Sequence, residues 1–458
     1  MNLPVIAIFD IGKTNKKLFL FNENYEIVFE KSARFTETTD EDGFPCENLE
    51  SLRLSILDSL KEIFSLKKFK VTAVNFSTYG ASLVYVDKYG NPLTPLYNYL
   101  KPYPKELSER FFATYGGKEA FSIQTASPVL DSLNSGLQLY RLKYEKPDTF
   151  KNLHFALHLP QYLSYLLTRK FYSDMTSIGC HTALWNFNQH VYHDWVNKEG
   201  LTKYLAPVEN SNKTFPSGPS INRCKVGIGL HDSSAALIPY LVNFTMPFIL
   251  ISTGTWCINM NPFNKTPLTE EELKNDCLCY LQFQGEPVKA SRLHAGLEHE
   301  QQIKRIAEHF NQDIIKYRDI TFNPGLVNTL KSNIDGIAQL SDGFSFHKRD
   351  LADFKTDIEA YHQLIIDLIE MQFLSTRLVI DGPAVKRIFV DGGFSNNNVF
   401  MNLLANAFPE MEVFAASMAQ ATAVGAALAI HQEWNSKLIP NDIIGLKYYS
   451  SEKTVRSD

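Results

Sequence analysis

The sequence predicts an α/β fold built from two similar lobes. At 458 residues the chain is too long for one ordinary core, because domains average roughly 150 residues. Apolar runs that meet at a polar, glycine-containing turn open both halves, at residues 3–22 and 248–260. This repetition predicts two lobes around a central cleft, each of which supplies a turn to one ligand.

The first half begins with a predicted β-hairpin. Leu3 to Asp10 and Lys17 to Asn22 are apolar runs, and Gly12 to Asn15 forms the turn between them. Apolar residues at helical spacing predict a helix from Leu49 to Leu66, and a second hairpin is predicted from Val71 to Asp87.

The boundary between the lobes is predicted from composition. Helical spacing fills residues 128–167, and residues 207–219 are rich in Pro, Asn, Ser and Gly, as in a linker. A new strand follows at Val226. We therefore predict an N-terminal lobe of residues 1–240 and a C-terminal lobe of residues 241–458.

The second half repeats the opening pattern and then adds a glycine turn. Phe248 to Ser252 and Trp256 to Met260 predict a hairpin. Arg387 to Val390 predicts a strand that leads through a Gly-Gly turn into a helix from Asn398 to Phe408, and a helix with a small-residue packing face is predicted from Gln420 to Glu433. A strand, a glycine turn and a helix N-terminus in this order can present backbone N–H groups to an anion.

Composition excludes several classes of protein. The net charge is −5 and no long Lys/Arg run occurs, which argues against nucleic-acid binding. The chain has no run of about 18 apolar residues, so no membrane span is predicted. The first residues lack a basic leader and a cleavage site, and the six cysteines are scattered, so we expect a reduced, cytoplasmic protein.

The turn after Asp10 has the chemistry of a phosphate site. A carboxylate at a strand end can hold Mg²⁺, and the amides of a glycine turn can face phosphate oxygens. The Gly12-Lys13-Thr14 triplet is not a Walker A loop, because that motif requires a glycine where Ala7 stands.

This turn resembles the first phosphate motif of the FGGY family of carbohydrate kinases, with Lys17 where arginine is usual and Lys13 as a departure. Four further segments occur in the order of that family. Residues 229–236 resemble its catalytic segment, 251–256 its second phosphate motif, 390–398 its adenosine motif, and 421–427 the small-residue helix that follows.

The resemblance implies two ribonuclease H-like lobes, shared with actin and the heat-shock chaperones, and a reaction that uses ATP and Mg²⁺. It implies Asp232 as the catalytic base and Asp10 as the Mg²⁺ residue, directly or through water. The implied sugar-binding residues are Thr78, Tyr79, Gly80, His231, Asp232 and Ser233. The implied ATP-binding residues are Gly12, Lys13, Thr14, Asn15, Lys17, Gly254, Thr255, Gly392, Gly393 and Asn397.

The sugar is predicted from two of these segments. Residues 231–235 are most similar to the corresponding segment of rhamnulokinases and fuculokinases, and residues 77–82 lie where rhamnulokinases carry a related motif. Ser77 and Ser82 replace acidic residues there, and Tyr79 replaces tryptophan. We therefore expect a deoxyketose such as L-rhamnulose or L-fuculose, phosphorylated at a primary hydroxyl.

Other functions stay open at this point. The acceptor could be xylulose, glycerol or another polyol, and the same fold could serve as a non-enzymatic sugar sensor or as an actin-like or chaperone-like ATPase. The protein is expected to be a monomer or a homodimer. His294, Glu298, His299 and Glu300 are interpreted as a solvated helix face rather than a metal site.

Overall fold

The computed structural model describes residues 2–219, 221–330, 339–418 and 420–451. Within them the chain forms two compact units. Unit 1 comprises residues 1–243, 279–287 and 420–443, and unit 2 comprises residues 244–278, 288–419 and 444–458. The lobes predicted from the sequence, 1–240 and 241–458, are continuous, whereas these units are not, because two later segments pack with unit 1.

The strands of the first half, in chain order, are β1 (Leu3–Ile11), β2 (Lys16–Asn22), β3 (Ile27–Ala33), β4 (Thr38–Thr39), β5 (Pro45–Cys46), β6 (Phe69–Thr78), β7 (Leu83–Val86), β8 (Phe155–His158), β9 (Ser173–Asp174), β10 (Trp185–Asn186), β11 (Val191–Tyr192), β12 (Val208–Glu209), β13 (Thr214–Pro216), β14 (Lys225–Gly227) and β15 (Leu230–His231). The later strands are β16 (Phe248–Thr253), β17 (Cys257–Asn261), β18 (Cys277–Leu281), β19 (Pro287–Leu293), β20 (Arg387–Gly392), β21 (Glu412–Ser417) and β22 (Gly445–Tyr449).

The α-helices of the first half are α1 (Leu49–Ser65), α2 (Lys105–Thr114), α3 (Lys118–Thr125), α4 (Ser135–Glu145), α5 (Pro147–Lys151), α6 (Leu159–Thr168), α7 (Met175–Ile178), α8 (Asp194–Lys198) and α9 (Asp232–Asn243). The later helices are α10 (Glu270–Lys274), α11 (Ala295–His309), α12 (Pro324–Val327), α13 (Asp357–Arg377), α14 (Asn398–Ala407), α15 (Ala421–Ala429) and α16 (His431–Trp434).

The main sheet of unit 1 brings three strand ends together. Its strand order is β13-β14-β6-β1-β2-β3, and β15 also pairs with β6. The predicted opening hairpin is confirmed, since β1 and β2 are antiparallel. The strands β1 and β15 both run parallel to β6, so Asp10 lies opposite Ser77, and Thr78 lies opposite both Ile11 and His231.

Both faces of this sheet are buried. Along β1, Val5, Ala7 and Phe9 belong to one hydrophobic cluster with residues of α1 and α6, and the intervening Ile6 and Ile8 are equally buried. The helices α9 and α15 pack closely, because a Cβ at Gly425 would lie 1.8 Å from the carbonyl oxygen of Ala235. The small-residue packing face predicted for this part of the chain is thus confirmed.

Three predictions for the first half are wrong in detail. The hairpin predicted from Val71 to Asp87 does not form, because β6 pairs with β1 while β7 pairs with β8. The strand β8 interrupts the helical stretch predicted for residues 128–167. The expected linker at 207–219 contributes β13, which pairs with β14 at the edge of the main sheet.

A second sheet has the strand order β18-β19-β17-β16-β20-β21-β22, and its strands β16, β17, β20, β21 and β22 belong to unit 2. The predicted hairpin of β16 and β17 is confirmed. Its hydrophobic core gathers residues of α13 and α14 against β16 and β20. The helix predicted from Gln420 to Glu433 is divided into α15 and α16 at Ile430.

The two sheets share one topology. In each, the first strand (β1 or β16) pairs antiparallel with the next strand and parallel with a strand much later in the chain (β6 or β20). The repeated architecture predicted from the two apolar hairpins is therefore confirmed. No helix in the described ranges combines the length and the apolar character that crossing a membrane requires.

Candidate active site

Asp10 lies near the end of β1, one of the three strand ends that unit 1 gathers. Its Oδ2 accepts a hydrogen bond of 2.8 Å from the hydroxyl of Thr422, which belongs to the first turn of α15. Burial raises the pKa of Asp10 to about 6, although the Thr422 hydrogen bond opposes this shift. The charge of Asp232 also raises this pKa, while Lys17 lowers it.

Asp232 is the first residue of α9 and directly follows β15. Its side chain is 31% exposed, and its Oδ1 accepts hydrogen bonds from the backbone N–H of Ser233 at 2.6 Å and from the Ser233 hydroxyl at 3.3 Å. Burial raises its pKa to about 6. At neutral pH the carboxylate is therefore ionised but retains appreciable affinity for a proton.

The turn before β15 determines where His231 and Asp232 point. Gly229 has a positive φ of 88°, and a Cβ there would lie 2.7 Å from the carbonyl oxygen of Pro160, so glycine is required. The N–H of Gly229 donates to Asn75 Oδ1, and the N–H of His231 donates to Thr176 Oγ1 at 3.0 Å.

The His231 ring is buried and neutral. Burial lowers its pKa to about 3. Its Nε2 lies 3.2 Å from Asp232 Oδ1 and 3.0 Å from Cys180 Sγ. Gly80 packs directly beneath this group, since a Cβ there would lie 2.6 Å from Cys180 Sγ and 3.0 Å from His231 Cδ2. The structure thus brings together Gly80, His231 and Asp232, which the sequence predicts as sugar-binding residues.

Thr78 and Tyr79 continue the same group from the end of β6. The Thr78 hydroxyl donates to the carbonyl of Tyr79, and the Tyr79 N–H donates to the carbonyl of Ile11 at 3.1 Å. The buried Tyr79 ring meets the ring of Tyr99 edge-on, with centroids 6.0 Å apart. Burial and the charge of Asp232 both raise the pKa of Tyr99, so an aromatic surface lies close to the carboxylate.

The turn between β1 and β2 carries the predicted phosphate-binding residues of unit 1. The Gly12 N–H donates to the Asn15 carbonyl at 2.9 Å, which closes the turn, and Thr14 and Asn15 are exposed. Lys13 Nζ pairs with Glu37 at 3.0 Å, and Lys17 Nζ pairs with Glu30 at 3.1 Å.

Lys16 also supports this turn, although its role is not apparent from the sequence. Its buried ammonium lies 2.9 Å from Glu47 Oε2 and donates to the carbonyl of Lys13. The sequence does not distinguish this buried lysine from the half-buried Lys13 and Lys17, because burial follows from the fold.

The carboxylates of unit 1 fit a magnesium ion held partly by phosphate. The charge of Asp232 raises the pKa of Asp10, and a divalent cation beside these carboxylates would oppose that shift. Mg²⁺ commonly takes one or two protein carboxylates and completes its shell with water and phosphate oxygens. Across the described ranges there is no group of three or more His, Cys, Asp or Glu residues suited to holding a metal ion without such help.

In unit 2, the ends of β16 and β20 form a second glycine-rich group. Thr253 Oγ1 donates to the Asp391 carbonyl at 2.6 Å and accepts from the Phe394 N–H at 3.0 Å. Gly392 has a φ of 88°, and a Cβ there would lie 2.0 Å from the Thr253 carbonyl oxygen, so this position requires glycine. A Cβ at Gly393 would meet open space.

A cavity of about 750 Å³ opens beside this group. Gly254, Gly393 and Asn397, three of the predicted ATP-binding residues, line it, whereas Thr255 and Gly392 are not among its lining residues. Asn397 caps α14 through its Oδ1, which accepts from the Phe400 N–H, and its Nδ2 donates to the Tyr361 hydroxyl at 2.8 Å. The volume of the cavity suits a nucleoside.

Several lining residues were not anticipated. His299, interpreted from the sequence as part of a solvated face, is half-buried, lines the cavity and has a pKa that burial lowers to about 4. His294 and Glu300 are exposed, as predicted. Other residues of the lining lie on α11 or shortly after it and carry no motif: Gly296, Lys304, Tyr317 and Arg318.

Comparison with known proteins identifies the class of this two-unit α/β fold. Residues 5–217 match the N-terminal domain of the FGGY family of carbohydrate kinases. Residues 245–323 and 355–431 match C-terminal domains of the same family. The chain therefore belongs to the FGGY family of carbohydrate kinases, which confirms the resemblance found in its motifs.

Individual relatives are distant. A rhamnulokinase of Halalkalibacterium halodurans is 24% identical over 262 residues, which cover 54% of each chain. An L-fuculokinase of Escherichia coli K12 is 23% identical over 277 residues, 57% of each chain. The match thus spans about half the length of these curated relatives.

Solved structures show the same fold over nearly the whole chain. A carbohydrate kinase from Novosphingobium aromaticivorans superposes with a TM-score of 0.81 at 23% identity, covering 98% of this chain and 95% of the other. A xylulose kinase from Lactobacillus acidophilus gives a TM-score of 0.78 at 15% identity, covering 98% and 94%. The predicted two-lobed, ribonuclease H-like fold class is thereby confirmed.

Proposed function

We propose that this protein transfers the γ-phosphoryl group of ATP to a primary hydroxyl of a small sugar. The observation that carries this proposal is the meeting of Asp10, Thr78 and Asp232 at the ends of three adjacent parallel strands. Phosphoryl transfer requires a positioned hydroxyl, a proton acceptor and neutralisation of phosphate charge rather than covalent help from the protein. Family membership supports the same reaction.

Asp232 is the proposed general base. Its carboxylate is partly exposed, at the start of a helix, and its pKa of about 6 is close to the optimum for a base that works near neutral pH. The neighbouring His231 is less suited to this role, because its pKa of about 3 makes it a weak base. We assign His231 to sugar binding, together with Thr78, Tyr79, Gly80 and Ser233.

Asp10 is the proposed residue for Mg²⁺, directly or through water, with Thr422 holding its carboxylate in place. Bound Mg²⁺ supplies positive charge that neutralises phosphate oxygens during transfer. The turn that begins at Gly12 follows this carboxylate in the chain, and its backbone N–H groups are the proposed phosphate donors of unit 1. Direct ATP contacts of the turn residues, including Lys13 and Lys17, stay proposals.

The cavity of unit 2 is the proposed site of the ATP base and ribose. Its lining combines glycines that leave room for a ligand with the fixed amide of Asn397. Tyr317 offers an aromatic ring, and the lining carries two positive side chains, Lys304 and Arg318, beside two carboxylates, Glu300 and Asp319. The ATP-binding roles of Gly254, Gly393 and Asn397 are proposed on this basis, and those of Thr255 and Gly392 on the resemblance of their motifs alone.

A deoxyketose such as L-rhamnulose or L-fuculose is the proposed acceptor. The curated relatives named above are a rhamnulokinase and an L-fuculokinase. The rings of Tyr79 and Tyr99, close to Asp232, offer an apolar surface on which the methyl group of a deoxysugar could pack. A cytoplasmic location and a monomeric or homodimeric state stay predictions.

A second candidate acceptor is D-xylulose, because a xylulose kinase shares the fold. The two candidate acceptors are distinguished by measuring ADP release with a panel of ketoses, aldoses and polyols. We expect kcat/KM for L-rhamnulose or L-fuculose to exceed that for D-xylulose or glycerol at least tenfold, about 1.4 kcal/mol in transition-state binding. A preference for glycerol or xylulose would contradict the deoxyketose assignment, and ADP release that no sugar stimulates would contradict the kinase proposal itself.

A further inference from the structure

The bend that leads into Asp232 is held by side chains from β6 and α6. Between β14 and β15, the Gly229 N–H donates to Asn75 Oδ1 at 3.1 Å, and Asn75 lies on β6. The carbonyl of Gly227 accepts from the hydroxyl of Ser164, on α6, at 2.7 Å. The backbone that carries the proposed base is thus fixed by side chains from other parts of unit 1.

Asn75 also reaches the helix α15. Its Nδ2 donates to the carbonyl of Ala426 at 2.8 Å, in the last turn of that helix. The N–H of Ile430 would bond to Ala426 in a continuing α-helix, but it donates to the Leu428 carbonyl instead. The amide of Asn75 therefore supplies a donor where the regular hydrogen bonding of α15 stops.

The two bonds of Asn75 have only one possible orientation. Both partners are backbone groups, and an N–H only donates whereas a carbonyl only accepts, so Oδ1 must face Gly229 and Nδ2 must face Ala426. Asn75 is fully buried, so loss of its side chain would leave both groups without this partner away from water.

The other end of α15 holds Asp10. Thr422, in the first turn of the helix, donates to Asp10 Oδ2 at 2.8 Å. Thr422 and Ala426 are one helical turn apart, so they lie on the same side of α15. A short helix thus connects the carboxylate of Asp10 to the amide of Asn75.

We infer that Asn75 is a positioning residue for both proposed site carboxylates. Through Gly229 it fixes the bend before Asp232, and through α15 it fixes Thr422 and with it Asp10. Phosphoryl transfer depends on alignment, so one side chain that supports both carboxylates keeps the base and the metal residue in register. Asn75 lies outside the motif residues, and nothing in their similarity assigns it a role.

Hydrogen–deuterium exchange of the folded full-length protein, measured by mass spectrometry, tests the two links without turnover. In Asn75→Ala we expect faster amide exchange in two segments, residues 227–232 and 421–429, because each loses its bond to the amide. Ser164→Ala removes only a bond to Gly227, so exchange should accelerate in 227–232 and stay unchanged in 421–429. Acceleration in only one segment of Asn75→Ala, or in neither, would overturn the inference.

Gly227→Ala is a second variant that disturbs the same link while it keeps the amide. Its Cβ would lie 2.3 Å from Asn75 Oδ1, so the amide has to move, and we expect faster exchange in the same two segments. In the double variant Asn75→Ala/Gly227→Ala the added methyl group meets no amide, so the two effects should not add. Additive effects, or undisturbed exchange in 421–429 of Gly227→Ala, would contradict a shared link through Asn75.

The kinetic consequence rests on the proposed function. With whichever of L-rhamnulose and L-fuculose reacts faster, Asn75→Ala should lower kcat and raise the Mg²⁺ concentration for half-maximal rate, each on the order of three- to tenfold, because both carboxylates lose support. Ser164→Ala should lower kcat without changing the Mg²⁺ requirement. An unchanged Mg²⁺ requirement in Asn75→Ala would contradict the link to Asp10.

Asn261→Ala is the matched control for the loss of a buried amide. Asn261 is also fully buried and bridges two backbone groups, since its Nδ2 donates to the Val379 carbonyl at 2.7 Å and its Oδ1 accepts from the Phe263 N–H at 2.9 Å. This variant should lower the thermal midpoint of unfolding, as Asn75→Ala does, but leave the Mg²⁺ requirement and exchange in 227–232 and 421–429 unchanged. Equal changes in both variants would reduce the role of Asn75 to stability. If neither sugar stimulates ADP release, the kinase proposal fails, whereas the exchange measurements still decide the role of Asn75.

Discussion

Replacement of Asp232 by asparagine tests the proposed base with little change in shape. Asn Oδ1 can still accept from the Ser233 N–H, so the start of α9 keeps its local hydrogen bond. The variant loses the ability to take a proton, together with the negative charge that raises the pKa of Asp10. Removal of a positioned base commonly costs 10²-fold or more in kcat, which corresponds to about 2.7 kcal/mol in the barrier.

The pKa of Asp232 determines the pH at which this base acts. With a pKa of about 6, roughly nine-tenths of the carboxylate is ionised at pH 7, and about one-tenth at pH 5. A base acts when it is ionised, so kcat/KM of the wild type should reach its maximum above about pH 7 and should fall as the pH drops through 6. Asp10 titrates in the same range, so the slope of the acidic limb can exceed one.

The assay combines turnover with calorimetry of sugar and ATP binding. We expect Asp232→Asn to bind both ligands near normally while kcat falls at least 10²-fold. Asp194→Asn is a suitable control, because Asp194 is also the first residue of a helix in unit 1 but is exposed. Near-normal turnover in a folded Asp232→Asn protein would refute the assignment and direct attention to His231.

Three further substitutions have distinct expected outcomes. Thr422→Val removes the hydrogen bond that opposes the rise in the Asp10 pKa, so the acidic limb of the pH profile of kcat/KM should move to higher pH. An unchanged acidic limb would show that Asp10 does not control it. Gly80→Ala would place a Cβ 2.6 Å from Cys180 Sγ, so we expect a sugar KM raised on the order of tenfold and a loss of about 1–3 kcal/mol in the free energy of unfolding, measured by denaturant titration. Asn397→Ala should raise the KM for ATP several-fold without affecting sugar binding. Calorimetry that shows unchanged ATP binding, or weakened sugar binding, in this variant would contradict the assignment.

Some of the site was predictable because its signals are local. The hairpin whose first strand carries Asp10 and the Gly392-Gly393 turn each depend on the residue types and spacing of a short segment. The helix that begins at Asp232 was not predicted. A glycine with positive φ, as at Gly392, is encoded by the residue itself. The family motifs have the same local character, which is why their order could be recognised.

Other parts of the site depend on contacts between residues far apart in the sequence. Thr422 reaches Asp10 across nearly the whole chain, and Tyr361 reaches Asn397 from another helix. No local pattern marks either partner, because a threonine or tyrosine in a helix is ordinary. The wrong hairpin at residues 71–87 has the same origin: alternation predicts strands but does not specify which strands pair.

The α/β class and the duplication could be predicted from the sequence because periodicity and turn chemistry act over a few residues, and the family could be recognised from the resemblance of short motifs. The pairing of β6 with both β1 and β15, the burial of His231 beside Cys180 and the position of His299 in a cavity lining depend on tertiary contacts. Burial determines the pKa values of Asp10 and Asp232, and burial is a property of the packed chain rather than of any one segment.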